Sequence, residues 1–116
     1  MALVKISQIE GRVPVTVFHL QDRVNLGNYV ELEQTAKDAY ENGMRNLVID
    51  LSETPSLTSI GVRALVVIHK MLSSAEDAKH LKLADPLPYI REMLQISGVT
   101  QYIEIYDTVD EAVASF

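Results

Sequence analysis

The sequence contains no cysteine among its 116 residues. This absence excludes disulfide bridges, thiolate zinc sites and cysteine nucleophiles, and it suits a reducing compartment. Basic residues are also sparse: the ten lysines and arginines never stand next to one another, whereas sixteen acidic residues bring the net charge to −6. Binding to nucleic acid or to an anionic membrane needs clustered basic residues, so we expect neither as a partner.

Long apolar runs are missing as well. The longest uncharged stretch, residues 93–103, is about half as long as the roughly 20 residues that a membrane-spanning helix requires. The first residues have no long apolar core and no small-residue cleavage pattern, which argues against a secretory signal. With 47% hydrophobic and 22% charged residues, residues 1–116 suit one folded domain. We therefore expect a cytoplasmic protein that does not insert directly into a membrane.

Hydrophobic periodicity predicts that strands and helices alternate. Period-two or continuous apolar patterns indicate strands, and apolar residues at helical spacing indicate helices. Strands are predicted over residues 2–9, 13–20, 46–51, 80–84 and 103–106, and helices over about 29–41, 60–73 and 86–97, with a short final helix after Thr108. A polar connection is predicted over residues 73–80. This order predicts a single α/β domain: a mixed, mostly parallel sheet of about five strands with an antiparallel edge, packed by about four helices.

The sequence offers few residues for catalysis. His19, His69 and His80 are scattered and form no i,i+4 pair, so no metal-binding motif is predicted. Packing or a surface position is the ordinary role of such histidines. Asp50 ends a predicted buried strand, where ligands collect in open α/β sheets, but the more frequent role is to cap the turn into Ser52.

One motif resembles part of a hydrolase. Ser59, Ile60 and Gly61 form half of the G-x-S-x-G nucleophile elbow, which would make Ser59 a catalytic serine. The first glycine is replaced by Leu57, the loop from Leu51 is too long for a sharp elbow, and no obvious histidine follows an acid. We therefore expect no enzymatic activity, no catalytic residue, no cofactor and no metal.

Two adjacent hydroxyls, those of Thr58 and Ser59, stand at the predicted start of the second helix. The simplest interpretation is an N-cap, which contributes about 1 kcal/mol. However, neither residue completes a capping box, and the first turn has no acid to face the helix dipole. Free amides, a positive dipole and the nearby Arg63 together suit a phosphate. Apolar residues flank the hydroxyls, and the segment predicted to bind a partner comprises Leu57, Thr58, Ser59, Ile60, Gly61, Val62 and Arg63.

The segment DLSETPSLTSIGVRAL, residues 50–65, resembles the central motif of STAS domains. This family is named for sulphate transporters and anti-sigma factor antagonists, and its motif is similar to D-L-S-x-V-x-x-I-D-S-S-G-L-x-x-L. The resemblance extends over about residues 10 to 115 and implies the STAS fold. The residues that match the motif outright are Asp50, Leu51, Ser52, Ser59, Gly61 and Leu65.

The resemblance also implies a function. In antagonists of this family, a cognate anti-sigma factor that is itself a serine kinase phosphorylates the serine that aligns with Ser59. By that resemblance, the unphosphorylated chain binds the anti-sigma factor, phosphorylation releases it, and a phosphatase resets the switch. Thr58 replaces the family's Asp and is a second candidate for phosphorylation. The alternative is a non-phosphorylated accessory STAS subunit of a stress-sensing complex or of an ABC transporter.

Overall fold

The computed structural model describes residues 3–73 and 80–116. The elements are β1 (Val4–Glu10), β2 (Pro14–Leu20), α1 (Tyr29–Glu41), β3 (Leu47–Asp50), α2 (Ser59–Ser73), β4 (Leu81–Ala84), α3 (Pro88–Ser97), β5 (Glu104–Tyr106) and α4 (Val109–Ala114). The predicted order and type of these elements are confirmed. A 3₁₀ helix over Val99–Gln101 was not predicted. Most of the polar connection predicted over residues 73–80 lies outside the described residues.

The five strands form one sheet in the order β1-β2-β3-β4-β5. β1 pairs with β2 in antiparallel fashion, and the other neighbours pair in parallel. The predicted mixed sheet with an antiparallel edge is therefore confirmed. This register places His19 of β2 between Lys5 of β1 and Asp50 of β3. Since paired residues point to the same side of a sheet, these three side chains share one face.

Helices cover the two faces of the sheet unequally. Three helices, α1, α2 and α3, pack on one face, where Phe18 and Ile49 lie in the main hydrophobic core. The short helix α4 packs on the other face, with Ala112 and Val113 in a smaller cluster that includes Val17. Beyond this cluster, at the carboxyl ends of β2 and β3, the same face carries polar side chains.

Three helix ends have the caps that their residue types favour. The Glu111 N–H donates to Thr108 Oγ1 at 3.0 Å, so Thr108 is the N-cap of α4. Gly98 ends α3 with φ of +87°, in the left-handed region that glycine adopts without strain. Gly43, with φ of +108°, follows α1 in the same way. These caps fix the helix ends that border the sheet.

Candidate functional site at the start of helix α2

Thr58 is the N-cap of α2. Its Oγ1 accepts a long hydrogen bond of 3.4 Å from the Gly61 N–H. The same hydroxyl donates to the Val24 carbonyl oxygen at 3.2 Å, and the Thr58 N–H donates to that oxygen at 3.1 Å. The N-cap interpretation that the sequence allows for the hydroxyl pair therefore applies to Thr58, whose hydroxyl is engaged both as donor and as acceptor.

Ser59 is the first residue of α2, and it is exposed. Among the described residues, no hydrogen bond involves its hydroxyl. The first turn of α2 contains no acidic residue. The positive end of the helix dipole is therefore not neutralised from within the helix, and the Ser59 hydroxyl stands beside it in solvent.

Gly61 allows α2 to approach the loop between β2 and α1. A Cβ at this position would lie 2.7 Å from Leu57 Cδ1, 3.0 Å from the Val24 carbonyl oxygen and 3.2 Å from Val24 Cβ. Val24 and Leu57 form a parallel bridge, and the Val24 N–H donates to the Ser56 carbonyl oxygen at 3.1 Å. The two loops are thus joined by backbone hydrogen bonds, and a side chain at position 61 has no room between them.

The segment predicted to bind a partner divides by exposure. Thr58, Ser59 and Arg63 are exposed and Ile60 is half-buried. The other three residues, Leu57, Gly61 and Val62, are buried; Leu57 and Val62 belong to the main hydrophobic core. These two were expected to flank the hydroxyls as an interface core would. Instead they pack inside the protein, where they support the exposed residues of the segment.

Further exposed residues adjoin this segment and were not predicted. On α2, Ser59, Arg63, Val67 and Lys70 are exposed at spacings of three or four residues, so they lie on one side of the helix. Helical spacing counted from Ser59 in the sequence would have placed Val67 and Lys70 on this side of the helix. In the β2–α1 region, Leu26 is 76% exposed, and the contacts of Val24 with Leu57 and Thr58 show that its loop neighbours α2.

A second polar cluster lies at the same end of the molecule, on the α4 side of the sheet. His19 Nδ1 lies 2.8 Å from Asp50 Oδ2, and His19 Nε2 lies 3.2 Å from Ser7 Oγ. Asp50 Oδ1 accepts from the Ser52 N–H at 3.0 Å, which confirms the predicted capping of that turn. The cluster of Ser7, His19 and Asp50 borders an open cleft of about 270 Å³ that Lys5, Gln21, Ser52 and Glu53 also line.

The pKa of Asp50 lies below its ordinary value. Burial alone would raise this pKa, but the hydrogen bonds from Ser52 and His19 outweigh burial and lower it. The carboxylate is therefore ionised near neutral pH and can only accept hydrogen bonds. It follows that His19 Nδ1 carries the proton in this hydrogen bond. In the neutral imidazole, Nε2 is then an acceptor, and Ser7 Oγ donates to it.

The other two histidines are half-buried and contact neighbouring side chains, in line with the predicted packing or surface roles. The His69 ring lies 5.2 Å from the Tyr102 ring, centroid to centroid. His80 Nδ1 lies 2.8 Å from Asn46 Oδ1. In the described part of the chain, no three His, Asp or Glu side chains are placed to hold a metal ion, and no helix is long and apolar enough to cross a membrane.

A larger cavity of about 600 Å³ lies between β1, β2 and the α1–β3 connection, where Ile6, Thr16 and Met44 contribute to its walls. None of the residues predicted to bind a partner or to be phosphorylated lines it. The candidate site is thus an exposed surface at the start of α2 rather than a pocket.

Comparison with known proteins identifies the family. The STAS domain family matches residues 7–112. A protein assigned as the anti-sigma factor antagonist BtrV of Bordetella bronchiseptica is 29% identical over 97 residues, which cover 84% of this chain and 82% of that protein. A solved structure assigned as an anti-sigma factor antagonist of Thermotoga maritima has a TM-score of 0.85 at 20% identity, over 97% of this chain and 92% of that one.

The anti-sigma factor antagonist SpoIIAA shares the same fold in two solved forms, each at 16% identity over 97% of this chain. Its unphosphorylated form has a TM-score of 0.77 over 94% of that chain. Its phosphorylated form, from Bacillus, has a TM-score of 0.71 over 97% of that chain. Given the match over residues 7–112, this chain belongs to the STAS domain family.

Proposed function

We propose that this chain is an anti-sigma factor antagonist of the cytoplasm: it binds an anti-sigma factor that is also a serine kinase, and phosphorylation of Ser59 releases it. The observation that carries the proposal is the exposed Ser59 hydroxyl at the open, positive end of α2. Sequence similarity to BtrV and the fold shared with SpoIIAA support the same function. A phosphatase would return the chain to its binding form. The role of this surface is regulated binding.

Geometry favours Ser59 over Thr58 as the acceptor. Thr58 Oγ1 donates to the Val24 carbonyl oxygen and accepts from Gly61, so its phosphorylation would break the cap of α2. The Ser59 hydroxyl has no such bond among the described residues. A kinase can therefore reach Ser59 without opening the helix.

Phosphate on Ser59 would act mainly through its charge. A phosphoserine carries about −1.5 to −2 charges at neutral pH. An uncompensated charge inside a desolvated interface costs about 3 to 5 kcal/mol. Because about 1.4 kcal/mol corresponds to a tenfold change in affinity, binding would weaken by a factor of about several hundred or more.

In the free protein the same phosphate would be well accommodated. The positive end of a helix dipole stabilises a nearby anion by about 0.3 to 1 kcal/mol at an exposed site. Arg63 follows Ser59 by four residues and is exposed, so its guanidinium is within reach of a phosphate there. The phosphorylated chain should therefore stay folded, and only its surface should change.

The acceptor is tested by incubation with the anti-sigma factor kinases of the source organism, prepared one at a time, followed by intact-mass measurement. Wild type should gain one phosphate with one of these kinases, and Ser59→Ala should gain none. Thr58→Asn is the matched control, because asparagine keeps the N-cap but removes the second hydroxyl. It should be phosphorylated like wild type. Phosphate on Ser59→Ala, or none on wild type with any kinase, contradicts the proposal.

The switch is tested by titration calorimetry of Ser59 variants against the same anti-sigma factor. Ser59→Asp should weaken binding by about tenfold or more while raising the thermal midpoint slightly, because the carboxylate meets the helix dipole. Ser59→Asn introduces a side chain of the same size as aspartate but without its charge, so this variant should retain most of the affinity. If Ser59→Asp binds like wild type, the chain is not a phosphorylation switch, and the accessory-subunit alternative is favoured.

A further inference from the structure

We propose that Ser7, His19 and Asp50 form a nucleophilic site that accepts short acyl groups from activated esters. The site is separate from the regulatory surface, since Ser7 lies on the edge strand β1 and Ser59 at the start of α2. The proposal therefore does not depend on the anti-sigma factor partner.

The arrangement has the order of roles that nucleophilic catalysis by serine needs. Asp50 accepts from His19 Nδ1 at 2.8 Å and fixes the tautomer in which Nε2 is an acceptor. Ser7 Oγ lies 3.2 Å from that Nε2, within the range in which a base can take the hydroxyl proton. Such an arrangement is recognised by geometry and roles and not by the order of the residues in the chain.

Exposure and shape suit a small substrate. The side chain of His19 is 30% exposed and that of Asp50 is 13% exposed, so the base is reachable while its carboxylate partner is largely shielded. The adjoining cleft of about 270 Å³ is open and mostly polar. It is smaller than the roughly 300 to 1,000 Å³ typical of pockets for drug-sized ligands. We therefore expect the acyl group of the substrate to be about the size of an acetyl group.

Two side chains that line the cleft can oppose the charge that develops on the carbonyl oxygen. Lys5 pairs with His19 in the β1–β2 register and contributes an ammonium group, and Gln21 contributes an amide. Donors aimed at a developing oxyanion commonly make the largest single contribution to acyl transfer, and the exposed Lys5 can turn toward that oxygen. We assign this role to Lys5, because a lysine brings a positive charge and an amide does not.

The reaction proceeds in two balanced steps. Ser7 Oγ attacks the ester carbonyl carbon while its proton moves to His19 Nε2; the bond to the leaving oxygen then breaks, and that oxygen takes the proton. Water next attacks the acyl-serine and gives its proton to the same imidazole, which returns one to Ser7 Oγ as the carboxylic acid leaves. No oxidant, metal or cofactor takes part in either step. Asp50 acts through His19 and is a positioning residue.

The first experiment uses a fluorophosphonate probe, in which Ser7 Oγ forms the bond to phosphorus and fluoride leaves. Intact mass and peptide mapping should find one adduct, on Ser7, and Ser7→Ala should give none. His19→Gln should slow labelling by about a hundredfold or more. Ser73→Ala is the matched control: Ser73 also lies beside a histidine, but its hydroxyl donates to the His69 carbonyl oxygen at 2.8 Å, so this variant should label like wild type.

The second experiment measures hydrolysis of p-nitrophenyl acetate by wild type and variants whose circular dichroism shows the native fold. Asp50→Asn should lower kcat with little change in KM, and Asp50→Glu, which restores a carboxylate, should recover part of the loss. Lys5→Met should lower kcat as well. The proposal is overturned if Ser7 is not labelled, if folded His19→Gln labels at the wild-type rate, or if hydrolysis survives in Ser7→Ala.

Discussion

Replacing Gly61 with alanine tests how tightly α2 is seated against the β2–α1 loop. The new methyl group would lie 2.7 Å from Leu57 Cδ1 and 3.0 Å from the Val24 carbonyl oxygen. The Leu57 side chain can rotate away from the methyl group. The Val24 carbonyl cannot retreat without weakening the two hydrogen bonds that it accepts from Thr58. We therefore expect the start of α2 to be displaced.

Two opposing effects set the size of the change. At a solvent-exposed helix position, replacing glycine with alanine stabilises the folded protein by about 0.5 to 1 kcal/mol, because alanine loses less conformational freedom than glycine on folding. An extra methyl group in a tightly packed site costs about 1 to 3 kcal/mol. The clash should outweigh the gain, and the net loss should be about 1 kcal/mol. In a domain of this size that loss lowers the thermal midpoint by about 4 °C.

Urea unfolding followed by circular dichroism measures this loss, and amide hydrogen exchange locates it. Residues 58–62 should exchange faster in Gly61→Ala, while the central strands stay protected. Val67→Ala is the control on the same helix, because Val67 is 42% exposed and its replacement should change stability by less than about 0.5 kcal/mol. If Gly61→Ala is as stable as wild type or more so, the close approach inferred here is wrong.

Three further predictions concern other parts of the fold. Thr108→Ala removes the N-cap of α4 and should cost about 1 kcal/mol in thermal unfolding. Lys82→Met removes a buried ammonium group, which donates to Ser115 Oγ at 2.7 Å and lies 4.2 Å from the Phe116 ring centroid. We expect the free energy of unfolding in urea to fall by about 1 to 2 kcal/mol, and the backbone amides of α4 to exchange hydrogen faster. Because folding lowers the pKa of Asp50, its contribution to stability is present above the unfolded pKa and is lost as the pH falls through the folded pKa. Wild type should therefore lose stability more steeply than Asp50→Asn as the pH falls below the ordinary aspartate pKa of 3.8, whereas parallel curves would contradict the assignment.

Much of the fold could be predicted because its elements have clear local patterns. The continuous apolar run of β3 and the helical spacing in α1 depend on neighbours in the sequence, so their elements were predicted to within about two residues. The caps at Thr108 and Gly98 follow from side-chain chemistry and backbone freedom in the same local way. The 3₁₀ helix after Gly98 was missed because a single turn of three residues has too little periodicity to detect.

The surface around Ser59 could be predicted only in part. The motif indicates a helix start with two hydroxyls, but it does not tell which one caps the helix. That distinction depends on the Val24 carbonyl oxygen, which is 34 residues away from Thr58 in the sequence. Likewise, the sequence does not tell whether the apolar residues of the segment point toward solvent or toward the core. In the structure, Leu57 and Val62 point into the core.

The Ser7, His19 and Asp50 cluster was missed for a similar reason. Ser7 and His19 are separated by 12 residues, and His19 and Asp50 by 31. Each lies on a different strand, and only the register of three neighbouring strands brings them together. Each residue alone has an ordinary explanation, and no spacing rule joins them.

Because the cap of α2 and its exposed hydroxyl belong to different residues, the two positions should respond very differently to random mutation. A library covering both codons, sorted only for folded protein, should accept almost any polar side chain at position 59 but a short list of cap formers at position 58. The phosphorylation site proposed at Ser59 could then be gained or lost at little cost to folding, in a single mutational step.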